Sequence, residues 1–316
     1  MRSGKIAILI PTFNGGSLLL QTVMSVARAG LPADSYEILV SDNASTDGSA
    51  AALPPEDCQG AHITIRRNQT NLGRIANWNC AVVAAEEMGF SYALILMVGD
   101  ALADRAILDL RDRMARQNAV LGIASCVIAD EALRPIRTVR RICWQGDVEA
   151  GLPVERFLGQ SLAQGAMLFA PLGANLYRID GRTRLRFDVT DETHADHLAT
   201  ALFAQEAGRP IVYLDRPISI WRRRPGRFHA SITVAQRLAG DFRVMERACG
   251  ASRLPLNHSR IRASLLLRGT IFCRGNLRRA WRLARDIPGS APISWSWLLK
   301  LIVRLLRHRT PWLVEA

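Results

Sequence analysis

Three short apolar runs each stop at a cluster of polar residues, and this arrangement restricts the chain to few folds. Lys5–Ile10 (KIAILI) ends at Pro11-Thr12-Phe13-Asn14. Tyr36–Val40 (YEILV) ends at Ser41–Gly48 (SDNASTDG), and Ala93–Val98 (ALILMV) ends at Gly99-Asp100. Runs this short and this apolar suit strands buried on both faces. Helices are expected between them: Ser17–Ala29, with Ser17 as N-cap and Gly30 as stop, then Ile75–Met88 and Asp104–Gln117. His62–Arg66 reads as a further strand, and a short helix is expected after the 41–48 turn. Strands alternating with helices imply βαβ units and a mostly parallel sheet. Such sheets bind ligands outside the carboxyl ends of their strands, where the strand order reverses.

Residues 121–230 read as short strands and loops, except for a helix over Thr193–Ala207 and a strand over Ile211–Leu214. From about Ile232 the chain is helical and rich in arginine. The expected division is a domain over 1–231, with a ligand-binding half at 1–120 and a second half at 121–231. A helical basic extension over 232–316 follows. With 316 residues, 49% of them hydrophobic, the chain can bury a sizeable core. Lys and Arg number 41 against 28 Asp and Glu, a net charge of +13. That balance points to anionic partners: phosphorylated molecules, nucleic acid or an anionic membrane. Nucleic acid is disfavoured, because no aromatic platform lies in a basic stripe and no reading motif occurs. The cysteines (Cys58, Cys80, Cys126, Cys143, Cys249, Cys273) are scattered without a Cys-x-x-Cys pair, as free thiols of a reducing compartment are. No signal peptide is evident, and no apolar run approaches the roughly 20 residues a span needs. The expected location is therefore cytoplasmic.

The segments IAILIPTFNGGSLLLQTVMSV, YEILVSDNASTDGS and NLGRIANWNCAVVAA, in this order, resemble the family-2 inverting glycosyltransferases. The resemblance implies an α/β GT-A fold, a Rossmann-like three-layer sandwich, and an enzyme that moves a sugar from a UDP- or dTDP-sugar to a glycan. It assigns donor binding to Pro11, Thr12, Phe13, Asn14, Asp42, Asn71, Gly73, Arg74 and Asp100. Asp42 corresponds to the aspartate that receives a ring N–H of the base, although Asp42-Asn43 also suits an Asx-turn. Phe13 equally suits a core position. Gly73 permits close backbone approach, and Arg74 suits a phosphate partner. Asp47 reads as a cap for the expected short helix.

The family's Asp-x-Asp motif is degenerate here: Met97 and Gly99 fill its two acid positions, and Asp100 remains. Asp100 is the expected ligand of Mg²⁺ or Mn²⁺, since Mg²⁺ commonly uses one or two carboxylates with phosphate oxygens and water. The alternative is arginine neutralising the diphosphate without a metal. Asp104 reads as a helix cap. A base must take the acceptor's proton; the resemblance assigns this to Asp196, with Asp191 and Glu192 as alternatives. Arg222, Arg224 and His229, in WRRRPGRFH, match a basic segment that contacts the diphosphate or the acceptor. A relative that binds donor without turnover is the other reading of the degenerate motif. Finally, Ser294–Arg309 has the pattern of an interfacial helix, with Trp295 and Trp297 at one end and Lys300, Arg304 and Arg307 on one face. A lipid-linked acceptor, such as a polyprenyl pyrophosphate at the inner face of the plasma membrane in cell-surface polysaccharide synthesis, would explain it.

Overall fold

The computed structural model describes residues 4–54, 57–58, 60–140, 147–164, 171–191, 193–224, 232–252, 258–273, 275–285 and 292–308. His229 and Glu192 lie outside the described residues. In chain order the elements are β1 (Ile6–Thr12), α1 (Gly16–Ala27), β2 (Tyr36–Asp42), β3 (Asp57–Cys58), β4 (Ala61–Arg67), α2 (Arg74–Glu87), β5 (Tyr92–Ile95), β6 (Ala101–Leu102) and α3 (Ala106–Arg116). Then come β7 (Leu121–Ala129), β8 (Pro135–Val139), β9 (Val148–Leu152), α4 (Val154–Gln164), a 3₁₀ turn (Leu172–Ala174), β10 (Asn175–Arg178), α5 (Ala195–Ala207) and β11 (Ile211–Arg222). The helices α6 (Val234–Ser252), α7 (His258–Phe272), α8 (Leu277–Arg285) and α9 (Trp295–His308) follow.

The sheet order is β3-β4-β2-β1-β5-β10-β7-β11-β6. β1 runs parallel to β2 on one side, from Ile6↔Tyr36 to Thr12↔Asp42, and parallel to β5 on the other. β2 runs parallel to β4, and β7 to β11. Antiparallel pairing enters through β10, which lies between β5 and β7, and through β3, β6, β8 and β9. The long registers are thus the parallel ones. The strand order reverses at β1, the position that opens a crevice in such sheets. The β1–α1–β2 and β4–α2–β5 connections run in opposite directions along the sheet. Right-handed crossovers therefore put α1 and α2 on opposite faces. With both faces covered, every residue of β1 and β2 is buried. Each fully buried Ile or Leu of those strands contributes about 1.5–3 kcal/mol by transfer alone.

Three expectations change. The short helix after the 41–48 turn does not form. Asp47 instead accepts the amide and hydroxyl of Ser49, at 3.0 and 2.7 Å, and the Gly16 amide at 2.9 Å. These local bonds compete with helix formation, and through Gly16 they cap α1, replacing Ser17. They also hold the Asp47 carboxyl below its usual range, the Ser49 hydroxyl first among them. Second, β5 stops at Ile95, because residues 97–100 turn back: the Asp100 amide donates to Met97 O at 2.9 Å, and Gly99 has φ 94°. Third, β11 extends to Arg222 through a bulge near Pro217, and so reaches the acidic turn.

The C-terminal helices divide. Leu238, Phe242, Met245 and Ala248 of α6 and Ile261 and Leu265 of α7 join the principal core. Leu266 of α7 with Ala280 and Ala284 of α8 form a small separate cluster, against which Leu298 of α9 packs.

Candidate active site

The carboxyl ends of β1, β2, β4, β5, β7 and β11 lie on one edge of the sheet, because β10 is antiparallel to both β5 and β7. α5 ends at Gly208 and feeds the amino end of β11. Its own amino end, with Asp196, therefore stands toward the carboxyl edge. Asp42, Asp100 and Asp196 share that edge.

A network of asparagines builds the first part of it. Asn43, 2% exposed, donates through Nδ2 to Asn71 Oδ1 at 2.6 Å and Gly73 O at 3.3 Å. Its Oδ1 accepts Asn68 Nδ2 at 3.0 Å and the Leu72 amide at 2.9 Å. Its amide donates to Thr12 O at 2.9 Å. Asn77, inside α2, accepts Ser41 Oγ at 2.8 Å and Asn68 Nδ2 at 3.0 Å, and donates to Ser41 O at 2.9 Å. Three segments, at Thr12, Ser41–Asn43 and Asn68–Asn77, are fastened without a formal charge. Gly73 has φ 84°, and nothing lies within 4 Å of where its β-carbon would be. Conformation rather than space demands glycine there.

Asp42 closes β2 fully buried. Its Oδ1 accepts the Ser45 amide at 3.0 Å, the Asx-turn geometry, and its Oδ2 accepts Arg67 Nη1 at 2.5 Å. Each carboxylate oxygen retains a second lone pair for a ring N–H. Pro11 and Thr12 are buried beside it, with a β-carbon on Gly15 falling 2.6 Å from Thr12 Oγ1. Phe13 is not core: it is 48% exposed, as is Leu72 on the facing loop. Asn14, at φ 50°, stitches the first two turns together, donating its amide to Ser45 Oγ and accepting the Thr46 amide, at 2.9 and 2.8 Å. The Arg74 guanidinium lies over the Trp78 ring, 4.7 Å from its centre.

The acidic turn is held from two sides. Thr22 Oγ1 of α1 accepts the Gly99 amide and donates to Asp100 O, both at 2.9 Å. Asp100 Oδ1 accepts the Arg222 amide at 3.0 Å, and Arg222 Nη1 donates to Gln21 at 3.0 Å. Arg224 Nη2 donates to Val98 O at 3.0 Å. Asp104 accepts the Ala106 amide at 2.6 Å and caps α3. Among the described residues no three His, Cys, Asp or Glu side chains gather as metal ligands. A single carboxylate, with the Arg224 guanidinium against the neighbouring Gly99, is a donor set that fits a resident divalent cation poorly.

Asp196 lies in the first turn of α5, about a quarter exposed at its side chain, and its carbonyl accepts Thr200 Oγ1 at 2.6 Å. Thr200 in turn meets the Tyr177 hydroxyl of β10 at 2.8 Å, which ties the helix to the sheet. Asp191 has another task. Its Oδ1 accepts the amides of Thr193 and His194 and the Thr193 hydroxyl, and it pairs with Arg243. Burial opposes its charge, but those donors hold its carboxyl below the usual range. His194, buried, contacts Asp241 of α6 at 3.3 Å, and Asp241 contacts Arg268 of α7 at 3.2 Å. Burial disfavours protonated His194, yet Asp241 outweighs it and raises the imidazole above its usual value. Asn77, Asp241 and Arg268 were not singled out in the sequence.

A profile of glycosyl transferase family 2 matches residues 7–180, more than half the chain. The chain belongs to glycosyl transferase family 2. It is a glycosyltransferase with the GT-A fold. Staphylococcus aureus TarS 1–349, solved with UDP-GlcNAc, superposes with a TM-score of 0.61 at 17% identity, over 86% of this chain and 74% of that one. Its UDP complex gives 0.60 at 16%, over 86% and 73%. The mannosyltransferase PcManGT of Pyrobaculum calidifontis, in complex with GDP-Man and Mn²⁺, gives 0.55 at 17%, over 98% and 84%. At these identities the likeness is one of fold. No curated protein matches the chain in sequence.

Proposed function

We propose that this family-2 enzyme transfers a sugar from a UDP- or dTDP-sugar to a glycan acceptor with inversion at the anomeric carbon. The observation that carries the reading is the common edge: the turns after β1, β2 and β5 and the amino end of α5 converge on it. Asp42, Phe13 and the asparagine network bind the nucleoside end, and Arg222 and Arg224 face the diphosphate. Asp196 takes the proton of the acceptor hydroxyl as its oxygen bonds the anomeric carbon and the nucleoside diphosphate leaves. The UDP and UDP-GlcNAc in the TarS structures support a uridine donor. Asp196→Asn keeps the shape and removes the base. Turnover should fall by about 10²–10⁴-fold while UDP affinity is unchanged. Undiminished turnover sinks the assignment. Wild-type chain that binds UDP-sugars yet turns over none of a panel supports instead a donor-binding relative, the reading favoured by Met97 and Gly99 in the motif.

The acceptor is lipid-linked, and the enzyme works at the inner face of the plasma membrane. No described helix is long and apolar enough to cross a membrane. α9 exposes Trp295, Leu299 and Val303, spaced i, i+4 and i+8 along one face. Trp281 of α8 stacks on Trp295 with ring centres 5.5 Å apart. Arg278, Arg279, Arg282 and Lys300 are exposed on the same two helices. An apolar face bordered by cations suits an anionic bilayer surface. Full-length chain should sediment with phosphatidylglycerol vesicles, and Trp295→Glu with Leu299→Glu should abolish it. Unchanged sedimentation of that variant would refute membrane contact here.

A further inference from the structure

We propose that the Arg224 guanidinium, and not a divalent cation, provides the positive charge that holds the donor diphosphate. The inference rests on the donor-site reading above and deepens it. In the turn over residues 97–100, Met97 and Gly99 stand where the family pattern has acids. Arg224 lies against that same place. A β-carbon on Gly99 would fall 3.3 Å from Arg224 Cζ and 3.5 Å from its Nε and Nη2. The side chain is fastened there by its bond to Val98 O. An aspartate at position 99 would thus meet a guanidinium before it met a metal, and at φ 94° it would be strained as well.

The neighbouring charges agree. Arg222 ends β11 and Arg224 lies two residues beyond it, the first donating to Gln21 and the second to Val98 O. Arg222 is 6% exposed, and the Nε atoms of both arginines are buried without an acceptor. A buried N–H left without a partner is costly, and an incoming phosphate oxygen would satisfy it. Asp100, the remaining acid, receives the Arg222 backbone amide and thereby sets the position of the strand end from which the chain runs on to Arg224. A dication entering here would meet one carboxylate and two fixed cations. A diphosphate would meet two guanidiniums able to donate in pairs. When the sugar–oxygen bond breaks, its electron pair stays on the departing diphosphate, and Arg224 stands beside the charge that grows there.

The test is calorimetric titration of UDP into full-length chain, first with EDTA and then with Mn²⁺ in place of EDTA. UDP should bind with EDTA present, and Mn²⁺ should change its affinity by less than about threefold. Arg224→Gln should weaken UDP by about tenfold or more, as expected for loss of a charge-assisted pair, and should leave uridine affinity unchanged. Preserved uridine binding also shows that the variant is folded. Binding of UDP only with Mn²⁺ overturns the proposal and leaves the donor site standing. Unaltered UDP affinity in Arg224→Gln overturns it too. Failure of both UDP and uridine to bind under either condition overturns the donor-site reading, and this proposal with it.

Discussion

The two ends of the crevice are fastened by different chemistry. At the proposed donor end, Asn43, Asn68, Asn71 and Asn77 bind one another and the backbone, and none of these groups titrates. At the end that carries Asp196, the proposed base, His194, Asp241 and Arg268 join α5 to α6 and α7 through buried charges. Amide bonds hold a fixed shape at every pH. A buried ion pair holds its shape only while both partners keep their charge, and it costs much to break from one side. The asparagine network should therefore be indifferent to pH, and the placement of Asp196 should not.

The sharpest way to break this contrast is Asp241→Ala. It leaves Arg268 and His194 buried without their counter-charge, and the expected loss is about 3–5 kcal/mol in urea unfolding. A loss under about 1 kcal/mol would mean that water already reaches the triad. Asn43→Ala comes next. It strips acceptors from Asn68 and Leu72 and a donor from Asn71, for about 1–3 kcal/mol. UDP affinity should fall with it, because the turn after β2 and the loop before α2 lose the side chain that joins them.

The pH dependence sharpens the comparison further. His194 is raised above the ordinary imidazole value of 6.5. Its contribution is complete below that ordinary value and is lost as pH rises through the raised one. Asp241 is lowered from 3.8 despite the burial that opposes its charge, with Arg268 the chief stabilising neighbour. Its contribution is present above the ordinary value and is lost as pH falls through the lowered one. Unfolding free energy should thus decline as pH rises from about 6.5 through the raised His194 value, with Asp196 and Arg268 as the other charges facing the imidazole and the His197 ring beside it. The substitution Asp241→Asn should flatten that decline. UDP affinity over the same range should stay level, and a parallel decline would merge the two ends into one. The smallest effect is expected for Arg66→Ala. This residue pairs with Glu87 at 3.1 Å between two exposed side chains, and neither stability nor binding should change measurably.

The parts of this arrangement that were legible in the sequence are those written within a few consecutive residues. Ile6–Ile10 and Tyr36–Val40 announce strands because the runs are almost wholly apolar, and the turns after them announce the edge. The bonds of the crevice are not local. Asn43 reaches Asn68 and Asn71, Asn77 reaches Ser41, and His194 reaches Asp241, all across spans that no periodicity reports. One signal was present: Asn77 and Asn79 lie inside a helix, where asparagine is a poor former, and each is used for long-range bonding. Asn79 exchanges two hydrogen bonds with the backbone of Phe187. β11 runs beyond the strand expected over Ile211–Leu214, because the register shift at Pro217 is a bulge that lets the pairing continue to Arg222. The 41–48 turn read as the start of a helix because Asp47 has capping chemistry, and it does cap, but it caps α1.

Gly240 has a consequence for how the molecule can move. A β-carbon there would overlap the His194 imidazole, so the ring at the start of α5 sits in a notch in the backbone of α6. A ring in a notch acts as a detent. The two helices cannot creep along each other by one residue, about 1.5 Å, without lifting the ring out. Displacement of the C-terminal helices therefore reaches the amino end of α5 as a rigid push, two residues from Asp196.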